Sequence, residues 1–243
     1  MEWSGEGVIL SVRPHGESSG IVELLTPDRG RHAGLVRGAR GKRLRGELQP
    51  GNQVRATWKA RLSEHLGLFQ TELAAASGAA LLEDRLALSG LNAACALAVS
   101  VLPEREPHGA VYDALRLLLE HLPDREVWPA LMVKFEAGLL ADLGYGLDLR
   151  KCAATGAMDD LVWVSPNTGR AVSGAAGEPY RDKMLGLPPF LMGAQAAVAP
   201  GDVEAGFRLT AWFLERRILW PADRQLPRAR ETMIERLRGE GLL

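Results

Sequence analysis

Cysteines and long apolar runs are what the 243-residue chain has least of. Its two cysteines, Cys95 and Cys152, make no framework of several disulfides, and such low cysteine usage fits a reducing cytoplasm. No uncharged apolar run reaches the roughly 18 residues that a membrane helix needs. The first residues are acidic and Gly-rich, so we expect no secretory signal, no membrane partner and a cytoplasmic location.

Sequence signatures of common enzyme classes are also scarce. No dinucleotide fingerprint follows a predicted strand, and the five histidines show no metal-ligand spacing. Residues 16–20 do read G-x-S-x-G, the serine hydrolase elbow, with Ser18 as the nucleophile. That elbow needs a strand before it and a helix after it, whereas a strand-forming sequence follows here. We interpret the motif as a β-turn and keep a hydrolase as an alternative.

Positive charge is present in quantity, but mostly in one part of the chain. The formal net charge is -1, yet residues 1–61 carry 11 Lys or Arg and 6 Asp or Glu, a charge of +5. The remaining residues carry 18 and 24, a charge of -6. The stretch GLVRGARGKRLRG, residues 34–46, alone contains five cations and four glycines. Such an asymmetry indicates that the N-terminal part meets a polyanion.

The first 80 residues have the features of β-strands. We predict five of them, over residues 8–13, 20–26, 31–37, 53–61 and 66–73. The fourth alternates most clearly, because Val54, Ala56 and Trp58 fall on one face while Arg55 and Lys59 fall on the other. Five short strands separated by turn signals favour a small β-barrel.

From about residue 81 the periodicity becomes helical. We predict helices over residues 83–102, 110–122, 125–144, 203–219 and 228–238. Between about residues 150 and 200, Gly, Ser and Pro break this pattern into an irregular insert. The predicted fold class is therefore α+β, with a five-stranded barrel domain over residues 1–80 and an all-α domain over residues 81–243.

The basic stretch has the chemistry of phosphate binding. Glycine lets a backbone approach closely, and arginine can bind a phosphate through two hydrogen bonds. On a barrel with a basic strand face, this composition is typical of single-strand binding. The predicted DNA-binding residues are Arg37, Arg40, Lys42, Arg43 and Arg45 in the stretch, and Arg29, Arg31, Arg55, Lys59 and Arg61 as an extension of it. Trp58 and Phe69 would stack on bases if exposed, although core packing is the simpler interpretation.

Six stretches along the chain resemble the RecO family of bacterial recombination mediators. They are VRPHGESS (12–19), TPDRGR (26–31), GLVRGAR (34–40), LQPG (48–51), LLADLGYG (139–146) and CAATG (152–156). The resemblance implies that the barrel is an oligonucleotide-binding (OB) fold and that the helical domain carries a zinc-finger-like insert. It further implies a non-enzymatic, nucleoid-associated DNA repair protein that binds single-stranded and double-stranded DNA and anneals complementary strands. The implied protein partners are RecR and single-stranded DNA-binding protein, which RecA replaces on DNA.

The insert departs from the pattern of that family. Family members often carry C-x-x-C twice, whereas residues 152–155 read CAAT and residues 173–176 read SGAA, so only Cys152 is retained. One thiolate cannot complete a tetrahedral zinc site. We therefore expect no metal, zinc included, and no other cofactor.

The acidic helical domain is expected to serve protein partners. Residues 207–220, FRLTAWFLERRILW, combine apolar and cationic side chains at helical spacing, as a receptor for the acidic, apolar tail of single-stranded DNA-binding protein would require. The predicted partner-binding residues are Arg208, Leu209, Trp212, Phe213, Arg216 and Arg217. The alternative for this segment is an ordinary core helix with surface arginines, and the alternative for the protein is a scaffold that binds only other proteins.

Overall fold

A closed barrel of five strands forms the N-terminal part of the structure. The computed structural model describes residues 1–193 and 197–243, so residues 194–196 of the predicted insert lie outside the described residues. The strands are β1 Glu2–His15, β2 Ser19–Thr26, β3 Gly30–Val36, β4 Gln53–Lys59 and β5 Leu68–Ala75. The prediction of a five-stranded barrel is confirmed.

The order of the strands is that of an OB fold. It runs β1-β2-β3-β5-β4, and β4 closes the barrel by pairing with β1. Neighbouring strands are antiparallel except β3 and β5, which meet in parallel at Leu35 and Leu68. β1 pairs on both sides because it has 14 residues, and a register shift between Ile9 and Ser11 lets it bend around the barrel.

The beginning of β1 differs from the prediction. The strand starts at Glu2 rather than at residue 8, although its first residues are rich in Gly and Ser. Pairing with β4, which places Trp3 opposite Trp58, holds this sequence extended. Tertiary pairing here overrides a weak local propensity. The alternation predicted for β4 is confirmed, since Val54, Ala56 and Trp58 are buried.

Apolar side chains fill the barrel, and not all of them come from strands. The buried cluster consists of Ile9, Val22, Leu24, Val36, Ala39, Leu48, Val54, Ala56, Trp58 and Phe69. Ala39 and Leu48 belong to the connection between β3 and β4 and are 6% and 3% exposed. The connection that carries the basic stretch is therefore part of the barrel core.

Contacts divide the chain into two compact units. The first comprises Met1–Arg125 and Pro227–Met233. Besides the barrel it contains α1 Lys42–Glu47, α2 Ser77–Ala80, α3 Arg85–Val101 and α4 Gly109–His121. The carboxylate of Asp84 caps α3 by accepting hydrogen bonds from the N–H groups of Leu86 and Ala87. The domain boundary predicted between residues 80 and 81 lies within this unit and stays a prediction.

The second unit comprises Glu126–Leu226 and Ile234–Leu243. Its helices are α5 Trp128–Leu140, α6 Gly174–Gly177 and α7 Asp202–Phe213, and the residues of α8 Arg228–Gly239 are divided between the two units. α5 and α7 continue into π-helical turns at Ala141–Tyr145 and Leu214–Leu219, and short 3₁₀ turns occupy Glu178–Lys183, Pro189–Leu191 and Trp220–Ala222. Every predicted helix has a counterpart, and Pro129 lies in the first turn of α5, where a missing N–H interrupts no helical hydrogen bond.

The predicted insert contains more regular structure than its composition indicated. β6 Leu161–Val164, β7 Ala171–Ser173 and β8 Leu185–Gly186 form a sheet in the order β7-β6-β8. Strands of two to four residues are too short to show a sequence periodicity, which is why they were not predicted. In the described residues, no helix is both long and apolar enough to cross a membrane.

Candidate nucleic-acid interface

The cations of the basic stretch lie on a short, ordered segment between β3 and β4. We call residues 37–47 the basic segment. It contains a turn at Gly38, whose φ is 68°, followed by the helix α1. The Gly-rich sequence does not predict this helix, which is ordered because Ala39, Leu44 and Leu48 pack against the barrel core. Gly38 still needs its left-handed backbone, which a side chain would strain.

Hydrogen bonds anchor the basic segment at both ends. The N–H of Arg40 donates to the Ser18 carbonyl at 3.1 Å, and its Nη1 donates to the Glu17 carbonyl at 3.0 Å. At the other end, Asn52 Nδ2 donates to the Glu47 carbonyl at 2.9 Å. The Oδ1 of Asn52, a fully buried residue, accepts hydrogen bonds from Gly78 and Ala79. The backbone that carries the cations is thus fixed while their side chains stay in solvent.

The five cations of the basic segment are all exposed. They are Arg37, Arg40, Lys42, Arg43 and Arg45. Arg43 lies 3.9 Å from Glu47, one helical turn away, in a surface ion pair of little energy. Among the described residues, no carboxylate forms an ion pair with any of the other four. The structure therefore gathers a positive charge that the carboxylates of the described residues, Glu47 apart, do not neutralise.

Two grooves border the basic segment. The first, which we call the Ser19 groove, lies toward β1 and β2, measures about 490 Å³ and is lined by Val12, Pro14, Ser19, Gly20, Ala39, Arg40, Arg45, Leu48, Gln49 and Pro50. The second, the Gln70 groove, lies toward β5, measures about 330 Å³ and is lined by Val36, Arg37, Arg43, Leu44, Leu68, Phe69, Gln70 and Thr71. Ser19, Gln49, Gln70 and Thr71 were not predicted as site residues, because isolated polar residues carry no sequence signal.

The cations predicted to extend the track have different surroundings. Arg29 and Arg61 are exposed. Lys59 lies 2.9 Å from Glu2 and Arg55 lies 3.8 Å from Glu6, across the pairing of β4 with β1. The outer face of β4 is therefore close to charge-balanced where the basic segment is not.

The side chain of Arg31 is enclosed by other protein groups and does not face open solvent. Its Nη1 lies 2.9 Å from the carboxylate of Glu23, which is 3% exposed, and 3.4 Å from that of Glu104. Its Nε donates to the Leu102 carbonyl at 2.9 Å. The guanidinium is thus occupied by protein groups, and the structure does not bring Arg31 together with the basic segment.

Aromatic residues of the barrel form an internal layer instead of a stacking surface. Trp58 and Phe69 are 2% and 3% exposed, so their interpretation as core residues is confirmed. Trp3 and His32 join them, with the His32 ring edge-on to Trp58 at a centroid distance of 4.8 Å. Burial, reinforced by the charges of Arg105 and Arg29, lowers the pKa of His32 to about 4. The imidazole is consequently neutral at physiological pH.

The predicted partner-binding residues separate into core and surface. Leu209 and Phe213 are buried, which removes them from any open groove, and Arg208 is exposed. The guanidinium of Arg216 lies 3.5 Å from the ring centroid of Trp212 and 4.5 Å from that of Trp220, which is half exposed. Two further hydrogen bonds fix this surface, from Arg217 Nη2 to the Asn167 carbonyl at 2.6 Å and from Trp212 Nε1 to the Pro166 carbonyl at 3.1 Å.

The insert offers a donor set that does not fit zinc. Cys152 is buried, and its Sγ accepts hydrogen bonds from the N–H of Ser173 at 3.3 Å and from the Ser173 hydroxyl at 3.5 Å. Burial alone would raise the pKa of Cys152, but the hydrogen bonds from Ser173 and Thr155 outweigh it and lower that pKa. Among the described residues, no three His, Cys, Asp or Glu side chains are placed to hold a metal. Protein hydroxyl and amide groups surround the single sulfur, where a zinc knuckle would need further thiolates or imidazoles.

The hydrolase motif lies between two strands. Residues 16–18 connect β1 with β2, so the required strand-to-helix elbow is absent at Ser18. The serine is exposed, and its carbonyl serves as the acceptor for the basic segment. The interpretation as a β-turn is confirmed.

Comparisons with known proteins give one answer over the whole chain. The family model described as Recombination protein O N terminal matches residues 1–76, and the one described as Recombination protein O C terminal matches residues 82–226. The DNA repair protein RecO of Phenylobacterium zucineum is 53% identical over 243 residues, which is the full length of both chains. The protein of the same name from Caulobacter sp. strain K31 is 50% identical over 100% of both chains. The one from Rhodospirillum rubrum is also 50% identical, over 98% of this chain and 97% of the relative. The chain therefore belongs to the RecO family of DNA repair proteins.

Proposed function

We propose that this protein binds single-stranded DNA through the basic segment, anneals complementary strands and helps load RecA onto DNA covered by single-stranded DNA-binding protein. The observation that carries the proposal is the set of five exposed cations on an anchored segment, four of them without an ion-pair partner among the described residues. Double-stranded DNA presents the same phosphates and is a second ligand of the site. The protein acts without a catalytic step, in the cytoplasm and on the nucleoid.

The mechanism is electrostatic. Each cation that contacts a phosphate releases condensed counterions, and neutralised strands repel each other less. Fixed arginines lose little backbone entropy on binding, because the hydrogen bonds of Arg40 and Asn52 already hold the segment. Arginine contacts to phosphate carry no sequence information, so binding and annealing should tolerate any sequence.

The salt dependence of binding tests this proposal. Each phosphate contact on a single strand contributes about 0.7 to the slope of log affinity against log salt concentration. Replacing Arg40, Lys42 and Arg43 with Ala should therefore flatten the slope by roughly two. The measurement is fluorescence anisotropy of a labelled oligonucleotide over a salt titration.

The matched control removes three exposed cations from the insert. Arg150→Ala, Arg181→Ala and Lys183→Ala change the net charge by the same amount and should leave the slope as in the wild type. Equal slopes for the wild type and the basic-segment variant, with both proteins folded, would reject the basic segment as the DNA site. Absence of binding by the wild type would leave a scaffold that binds only proteins.

RecR and single-stranded DNA-binding protein are proposed as the protein partners. For the acidic tail of the latter, the surface of Arg216 supplies a cation in contact with two indole rings, and exposed Arg208 lies on the preceding helix. A carboxylate bound there would gain a charge-assisted hydrogen bond. Arg208→Glu with Arg216→Glu should weaken binding of a labelled tail peptide about tenfold. Arg181→Glu with Lys183→Glu is the control, and equal affinities for all three proteins would place the tail elsewhere.

A further inference from the structure

The helix α1 separates its own cations into two sets. Successive residues of an α-helix are about 100° apart around the axis, so residues two positions apart point to nearly opposite flanks. Leu44 packs toward the barrel core. Arg43 and Arg45 therefore project to either side of it, and Arg43 lines the Gln70 groove while Arg45 lines the Ser19 groove. Lys42 belongs to neither lining.

The two grooves are chemically alike. Each contains two arginines, which are Arg40 and Arg45 in the Ser19 groove and Arg37 and Arg43 in the Gln70 groove. Each also has hydroxyl and amide side chains beside apolar ones, and the described lining of neither groove includes an Asp or a Glu. This combination suits a chain of phosphates with bases attached, and it occurs twice on one small segment.

The width of α1 is comparable to that of a duplex groove. A helix with its side chains is about 10–12 Å across, and the major groove of B-DNA is about 12 Å wide. Two strands lying along the flanks of α1 would therefore be held about as far apart as two backbones across a major groove. The anchored backbone keeps that distance fixed, because Ala39, Leu44 and Leu48 pack with the barrel core.

We infer that the basic segment holds two single strands at once, one in each groove, with α1 between them. The inference rests on the proposed DNA-binding function and gives it a geometry. Four arginines reduce the repulsion between the strands at a distance close to the screening length of about 8–10 Å. Complementary strands are thereby brought side by side before they pair, and annealing requires both grooves.

The test counts strands on the full-length protein. Arg40→Glu with Arg45→Glu blocks the Ser19 groove, and Arg37→Glu with Arg43→Glu blocks the Gln70 groove. The probe is an oligothymidylate of about eight nucleotides, within the site size of one OB fold, and native mass spectrometry gives the number of strands per chain. We expect two strands on the wild type and one on each variant. The rate of annealing of longer complementary strands should fall about tenfold or more in both variants.

Several outcomes would overturn the inference. If the wild type never holds more than one strand, a single continuous path crosses both grooves. The same conclusion follows if either two-residue variant loses every strand. A wild type that binds no strand at any salt concentration removes the proposed function as well, so the two failures are distinguishable. The four arginines are exposed, and the corresponding Ala variants, checked by circular dichroism, repeat the count without charge reversal.

Discussion

Arg31 and Arg40 lie in the same N-terminal barrel unit and have opposite surroundings. Arg31 contacts two carboxylates and a carbonyl, and its side chain is only 12% exposed. Arg40 is exposed and donates one side-chain hydrogen bond, to the Glu17 carbonyl. A guanidinium that is already paired gains little from a phosphate, since it must first give up its own partners. The difference teaches that the count of cations overstates the proposed DNA-binding surface, which is limited to cations that are left unpaired.

Removal of Arg31 and removal of Arg40 should have very different effects on the stability of the protein. Arg31→Ala leaves the buried carboxylate of Glu23 with Arg13 as its one ion-pair partner in the described part of the chain, so the free energy of unfolding should fall by about 3 kcal/mol. Arg40→Ala should change that free energy by less than about 0.5 kcal/mol. Chemical denaturation of both variants is the measurement.

The DNA-binding behaviour of the same two variants gives the control. Folded Arg31→Ala should keep the salt slope of the wild type, whereas Arg40→Ala should lower it by about 0.7. If Arg31→Ala lowers the slope while remaining stable, Arg31 faces DNA and its ion pairs are incidental.

The aromatic layer predicts a dependence of stability on pH. His32 has a pKa of about 4 in the folded protein and about 6.5 in an unfolded chain, so protonation favours unfolding. Its contribution to stability is complete above pH 6.5 and is lost as the pH falls toward 4. Between pH 6.5 and 5 the loss should be roughly 1.5 kcal/mol.

The variant His32→Phe isolates this effect from other titrating groups. Phenylalanine can occupy a site among Trp3, Trp58 and Phe69 and does not titrate. The unfolding free energy of the wild type should therefore fall relative to that of the variant as the pH is lowered. Parallel pH profiles for the two proteins would mean that the imidazole has access to water.

The sequence allowed the strands of the barrel and the cluster of cations to be predicted, but not the pairing of each cation. β4 was predictable because a strand with one buried face has apolar and polar residues in alternation. The partner of Arg31 was not, because Glu23 becomes its neighbour only through the pairing of β2 with β3. α1 was missed since a six-residue helix with a glycine has low local propensity and depends on Ala39, Leu44 and Leu48 reaching the core.

Unpairing the cations of β4 would make that strand resemble the basic segment. Glu2→Gln and Glu6→Gln remove the carboxylates that contact Lys59 and Arg55 without changing side-chain size. If single strands can reach this face, the salt slope should steepen by up to about 1.4, the equivalent of two phosphate contacts. The control is Glu178→Gln with Glu240→Gln, which raises the net charge equally in the second unit. A slope that both variants share would reflect net charge alone.

The smallest effect is expected at Cys152, which resembles Arg31 because neighbouring protein groups already provide its polar contacts. Two hydrogen bonds from Ser173 reach its sulfur, and Thr155 adds to them. A single thiolate among hydroxyl groups lacks the further soft ligands that zinc needs. A chelator should therefore leave the melting temperature unchanged, and the purified protein should contain no stoichiometric zinc.

Cys152→Ser, which keeps an acceptor at that position, should cost only about 1 kcal/mol of unfolding free energy, with Cys95→Ser as the comparison. One zinc per chain, together with a chelator-induced drop in melting temperature, would show that ligands beyond Cys152 exist and that the sulfur is not held by hydrogen bonds alone.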